Sequence, residues 1–195
     1  MLKGYSFFRD EAGEVWKIET PDLILRLSAA DDISDFYKWE FNTETIRYFS
    51  ICDNQSMEEV WRDFVHRTED PSSVNFTIIN KSTGEKLGRA MLADLIRGWK
   101  VEIFRIYIAD TSNRGRGYGK QSMLALMQLI FEEYDCERLY LDHYTGNPAR
   151  MLYDSLGFHF EGILRANCRK NGVLHDVELL SMLKSEYSSL YPNGK

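Results

Sequence analysis

Apolar and polar positions change rhythm several times along this chain, and the changes outline its elements. Period-two alternation rich in β-branched and aromatic side chains predicts strands at Leu23–Leu27, Val74–Asn80, Lys86–Leu95, Val101–Asp110 and Arg138–Tyr144. The middle three form a meander, turning at Ser82-Thr83-Gly84-Glu85 and at Arg97-Gly98. Helical spacing groups Ile33, Phe36, Tyr37 and Phe41, then Val60, Trp61, Phe64 and Val65, then Met123, Leu126, Met127, Ile130 and Tyr134. Asp31 and Asp32 suit the start of the first helix, and Ser56 with Glu59 forms a capping box for the second. Asn147-Pro148 reads as a cap followed by a first-turn proline, with Gly157 as the stop of that short helix. Asn171-Gly172 turns a last hairpin between Ile163–Arg169 and Val173–Met182.

The order β, αα, βββ, α, β, α, ββ predicts an α/β (α+β) fold: a single mixed, mostly antiparallel central sheet flanked by helices. The strand–helix–strand unit from Val101 to Tyr144 should contain the parallel pair. At 195 residues the chain suits one domain, assigned to residues 22–187. An N-terminal extension, residues 1–21, carries a hairpin at Glu11-Ala12-Gly13-Glu14, and residues 188–195 form a tail.

Composition narrows the function classes. The net charge of −6 and pI near 5.3 argue against a nucleic-acid partner. No apolar run approaches the roughly 18 residues of a membrane span, and the N-terminus MLKGYSFFRDEAGE lacks the apolar core of a signal peptide. Cys52, Cys136 and Cys168 are odd in number and scattered, which favours a reducing, cytoplasmic setting over a disulfide framework. The histidines and cysteines show no metal-ligand spacing, so no metal is expected.

Between the strand ending at Asp110 and the helix of Met123 lies TSNRGRGYGK, a glycine-dense turn with three basic residues. A strand feeding such a turn at a helix start presents unpaired N–H groups and the positive dipole end to an anion. Gly115, Gly117 and Gly119 allow close backbone approach, while Arg114, Arg116 and Lys120 add charge. The dinucleotide fingerprint fails because the third glycine comes one residue early. The triphosphate loop fails because Gln121 follows Gly119-Lys120. An arginine–glycine loop for RNA fits poorly on an acidic chain.

Arg114, Gly117 and Gly119 do fit R-x-x-G-x-G, which resembles the acetyl-coenzyme A motif of the GNAT superfamily of N-acetyltransferases. A second block resembles that family's downstream motif: Ala149, Tyr153, Gly157 and Phe158 stand at its spacing. There the usual asparagine falls on Gly146, with Asn147 one place later, leaving Asn147 either a cofactor contact or a helix cap. The hairpin EGILRANCRKNGVLHDVELLSML resembles those of the ribosomal-protein and spermidine acetyltransferase branches.

The resemblance implies a GNAT-like acyl-CoA N-acyltransferase fold that uses acetyl-CoA to acetylate a primary amine of a small molecule or peptide. Attack is direct, in a ternary complex. Ile106, Tyr107 and Ile108 would pair with the pantetheine arm, and the loop Arg114, Gly115, Arg116, Gly117, Tyr118, Gly119 and Lys120 would hold the diphosphate. Tyr153 would be the general acid and a cofactor contact. A non-catalytic coenzyme A-binding sensor is the alternative, and a homodimer is left open. An attacking amine must first lose a proton. Glu102, which strict alternation puts on one face with Phe104, Ile106 and Ile108, is either the base or a solvated residue. Asp94, Asp142 and His143 are further candidates. Cys136 reads as inert rather than nucleophilic. Acidic residues between Asp31 and Asp70, Glu40 and Glu44 among them, would attract a cationic acceptor.

Overall fold

A computed structural model describes residues 2–113 and 115–192. One nine-stranded sheet runs through it in the order β1-β2-β3-β4-β5-β6-β7-β9-β8. The strands are β1 (Ser6–Arg9), β2 (Val15–Glu19), β3 (Leu23–Leu27), β4 (Val74–Asn80), β5 (Lys86–Ile96), β6 (Lys100–Ile108), β7 (Arg138–Tyr144), β8 (His159–Lys170) and β9 (Val173–Leu183). Neighbours are antiparallel except β6 and β7, which run parallel as the intervening helix requires. The first hairpin continues the sheet, β2 pairing with β3.

Two helices cover one face: α1 (Ile33–Phe41) and α2 (Met57–Glu69). They meet through Ile33, Phe36, Val60 and Phe64. Ser56 and Glu59 close the capping box of α2 as the sequence predicts. Trp61 departs from its expected stripe and is exposed. The other face carries α3 (Tyr118–Gln128), α4 (Arg150–Leu156) and α5 (Lys184–Leu190). Met123, Leu126 and Met127 of α3 are fully buried against the sheet, and Leu129–Glu133 extends the helix as a π-helical turn. Gly157 ends α4 in the left-handed region, φ 89°. Asn171 (φ 49°) and Gly172 (φ 80°) turn the last hairpin with both residues left-handed, as this dipeptide favours.

Charge is buried on the α1–α2 side. Asp32, wholly buried, takes both guanidinium nitrogens of Arg26 at 2.7 and 2.8 Å and Lys86 at 2.7 Å. Burial pushes its carboxyl up, but these cations and the N–H of Ala29 outweigh that and hold it well below the usual range. Glu40 Oε1 accepts from Arg89 at 3.1 Å, Arg105 at 3.0 Å and Tyr107 Oη at 3.0 Å. Both carboxylates, expected in sequence to attract a ligand, instead join α1 to the sheet.

Candidate active site

After three residue pairs, Lys100 with Arg138 through Glu102 with Tyr140, β6 and β7 part. Between them opens a cleft of about 1250 Å³. Ala109 N–H donates to Leu87 O at 2.9 Å, so alternation turns the peptide of Tyr107 toward β5 as well. The peptides of Ile106 and Ile108 therefore face the opening. Of the three residues expected to pair with a pantetheine arm, these two present free edges, while Tyr107 sends its phenol to Glu40.

A bulge corrects the expected position of Glu102. Met91 pairs with Arg105 but Leu92 pairs with Ile103, so Phe104 has no partner on β5. One extra residue exchanges the two faces of a strand beyond it. Ile106 and Ile108 pack on the α3 side, whereas Glu102 shares the α1–α2 face with Arg105 and Tyr107. A second bulge, where Asp94 takes φ 50°, interrupts β5 on the other side of Glu102. Glu102 thus stands between two irregularities, on the face opposite the one strict alternation predicts.

Its surroundings change its chemistry. Burial, then Asp142 and Asp94, push the Glu102 carboxyl up to about 7. Asp142 is itself raised by burial, while Asp94 accepts from Tyr140 Oη at 3.1 Å. Glu102, Asp142 and Glu44 all line the cleft, which gives its α1–α2 side an acidic wall.

Tyr153 enters from α4 on the opposite side, 7% exposed, its ring stacked on His143 at 5.6 Å. Burial pushes its phenol up to about 12. His143 Nδ1 meets the carbonyl oxygen of Tyr144 at 3.0 Å, which the N–H tautomer at that nitrogen satisfies. Asn147 Oδ1 accepts from Ala149 N–H at 3.0 Å and the residue also lines the cleft. The regular helix begins only at Arg150, two residues beyond the proline that was read as its first turn.

At the other end of the cleft is the glycine loop. Gly115 and Gly117 hold φ 75° and 79°, and a Cβ on either meets no atom within 4 Å. Their need for glycine is conformational, with the space above them left for a ligand. Gly119 is helical and has no such need; a Cβ there makes an ordinary contact with Leu152. The ring of Tyr118 packs in the core and receives a hydrogen bond from Asn80 Nδ2 at 3.2 Å, leaving its peptide for the cleft. Lys120 lines the cleft, Arg116 is exposed and outside its lining, and Arg114 lies outside the described residues. Among the described residues no His, Cys, Asp and Glu side chains gather in a group that could hold a metal ion. No helix there is long and apolar enough to cross a membrane.

A sheet split between β6 and β7, with a left-handed glycine turn at one end of the cleft, is the arrangement expected of an acyl-coenzyme A N-acyltransferase. Residues 22–159 match the family model described as acetyltransferase (GNAT) domain. The chain belongs to the GNAT acetyltransferases. It is an acetyl-CoA-dependent N-acetyltransferase, passing acetyl to an amine. It is 24% identical over 187 residues to the Bacillus subtilis protein "Probable N-acetyltransferase YjcK", covering 95% of this chain and 98% of that one. Over 72 residues it is 39% identical to the spermine/spermidine N(1)-acetyltransferase of Bacillus subtilis, a span of 36% of this chain and 47% of the other. The fold resembles spermidine N-acetyltransferase from Vibrio cholerae, solved with CoA and spermine, at a TM-score of 0.75 and 22% identity, covering 85% and 97% of the two chains.

Proposed function

We propose that Glu102 and Tyr153 carry acetyl transfer to a cationic primary amine of a small molecule, within a ternary complex. The observation that carries this reading is the place of Glu102: between two bulges, beside Asp142, on the cleft wall facing away from α3. A carboxyl near 7 is matched to taking a proton at neutral pH. The freed amine attacks the thioester carbonyl, the carbon–sulfur bond breaks, and the second nitrogen proton passes through solvent to the departing thiolate, so that an amide and a thiol result. Tyr153 keeps its proton at every working pH. At about 12 it is a weaker acid than a thiol near ~8.5, so its part is to donate a hydrogen bond to sulfur as charge develops.

The arm of acetyl-CoA would run along the free peptides of Ile106 and Ile108 as an added strand does. Its diphosphate would sit over Gly115, Gly117 and the N-terminus of α3, with Lys120 beside it. Asn147 would brace the start of α4 and meet the arm from that side. The acidic wall of Glu44, Glu102 and Asp142 supports a cationic acceptor, as does kinship with enzymes named for spermine and spermidine.

Thiol release from acetyl-CoA across polyamines, peptide N-termini, amino acids and aminoglycosides tests the reading. A polyamine or other cationic amine should turn over, with kcat/KM rising as pH increases through about 7, because the base acts when ionised. Coenzyme binding with no turnover on any amine would instead support a sensor. A preference for neutral or anionic acceptors would refute the cationic assignment.

A further inference from the structure

A third bulge lies on the same cleft wall as Glu102. In the β8–β9 pair, Leu164 stands opposite Val177 and Cys168 opposite His175, so Arg165, Ala166 and Asn167 all face Asp176 alone. The distortion is built and held. Ala166, which is not glycine, takes φ 52°. Its N–H donates to Asp176 Oδ1 at 2.7 Å, and the carbonyl of Asp176 accepts from Thr145 N–H at 3.1 Å, just past the end of β7. A strained bulge pinned from both sides re-aims a side chain. Here that side chain is Asn167, which lines the cleft and donates from Nδ2 to Asp142 Oδ2 at 3.3 Å.

We propose that this bulge is the acceptor-selecting element of the enzyme, with Asn167 reading the amine. The inference rests on the placement of the acceptor beside Glu102. Asn167 spends an N–H on Asp142, so its carbonyl oxygen and the Asp142 carboxylate form adjacent acceptors. Two acceptors side by side suit a group with several N–H donors, a primary amine or ammonium. With the Glu102 carboxylate as a third acceptor, a primary ammonium fills all three; a secondary ammonium, with two N–H groups, or a hydroxyl, with one, would leave at least one unpaired. Cofactor contacts lie on the other wall and are not touched by this residue.

Two variants test this by steady-state kinetics with spermine, n-hexylamine and a peptide N-terminus as probes. Asn167→Leu keeps the shape and removes both hydrogen-bonding groups. Deletion of Ala166 and Asn167 together restores one-to-one pairing of β8 with β9, and because two residues are removed, no side chain beyond changes face. In both, the acceptor KM should rise about tenfold, with acetyl-CoA KM moving less than about twofold. Folding is checked by coenzyme A binding, which should stay intact. An unchanged acceptor KM in both variants overturns the assignment, and so does an equal rise in both KM values. If the wild-type chain releases no thiol with any of the three amines, the catalytic reading falls and the selector with it. Wild-type turnover with indifferent variants refutes the selector alone.

Discussion

The two walls of the cleft are built on different principles. The α3 wall offers backbone: the peptides of Ile106 and Ile108, two left-handed glycines and a helix start. The α1–α2 wall offers side chains, above all Glu102 and Asn167, each placed by or beside an irregularity in its strand, with Asp142 of the regular β7 next to both. Backbone recognition survives changes of side chain and suits a constant ligand. Side chains on bulges can be exchanged one at a time, which suits a variable one. A chain built this way can keep its donor while its acceptor changes.

Removing the Glu102 carboxylate should break that division most severely. Glu102→Gln should lower kcat by about 10²–10⁴-fold while leaving acetyl-CoA affinity as it was, and a loss of coenzyme binding would show that the walls are not independent. The same variant has a second signature. A carboxyl raised in the folded state costs stability as pH rises from its ordinary value toward about 7. Glu102→Gln should therefore melt higher than wild type at pH 8 and show no such gain at pH 4, read by thermal denaturation at the two values.

Glu40→Gln probes the support beneath both walls. It leaves Arg89 and Arg105 short of a buried counter-charge, a loss of about 3–5 kcal/mol when one partner of a buried pair goes. Chemical denaturation should register it, and a change under about 1 kcal/mol would mean that Asp63, 3.5 Å from Arg105, suffices. Gly117→Val strikes the backbone wall. With φ 79° denied and the space above filled, coenzyme affinity should fall at least about tenfold, measured by calorimetry on a folded protein. Near wild-type binding would remove the loop from the cofactor site. The smallest effect is a gain: Ala166→Gly relieves a left-handed alanine and should stabilise by about 1 kcal/mol. A loss would mean that the bulge is not strained.

The backbone wall was the legible one. Alternation located every strand of the meander, and the glycines between a strand and a helix announce the left-handed turn at Gly115 and Gly117 because only a few residues can make it. Ala149, Tyr153, Gly157 and Phe158 carried α4 in the same way. The side-chain wall was not legible, since a bulge has no period of its own. The neighbouring apolar pair Ile103-Phe104 is the sole trace of the first one, and it reads equally well as ordinary strand. Strict alternation therefore puts Glu102 on the face opposite the one it occupies. Glu40 and Asp32 read as carboxylates open to a ligand because most of the cations that pair with them, Lys86, Arg89 and Arg105, lie far off in sequence, on β5 and β6.

The early parting of β6 and β7 has one more consequence. If the coenzyme lies where proposed, it completes two strand edges in the middle of the sheet, so its occupancy would also be a bond across the fold. A ligand at a hundred times its Kd adds about 2.7 kcal/mol to the folded state. Wherever proteases sample the open form, the survival of each molecule would then follow the supply of coenzyme A, and a starved cell would clear this enzyme faster than a fed one.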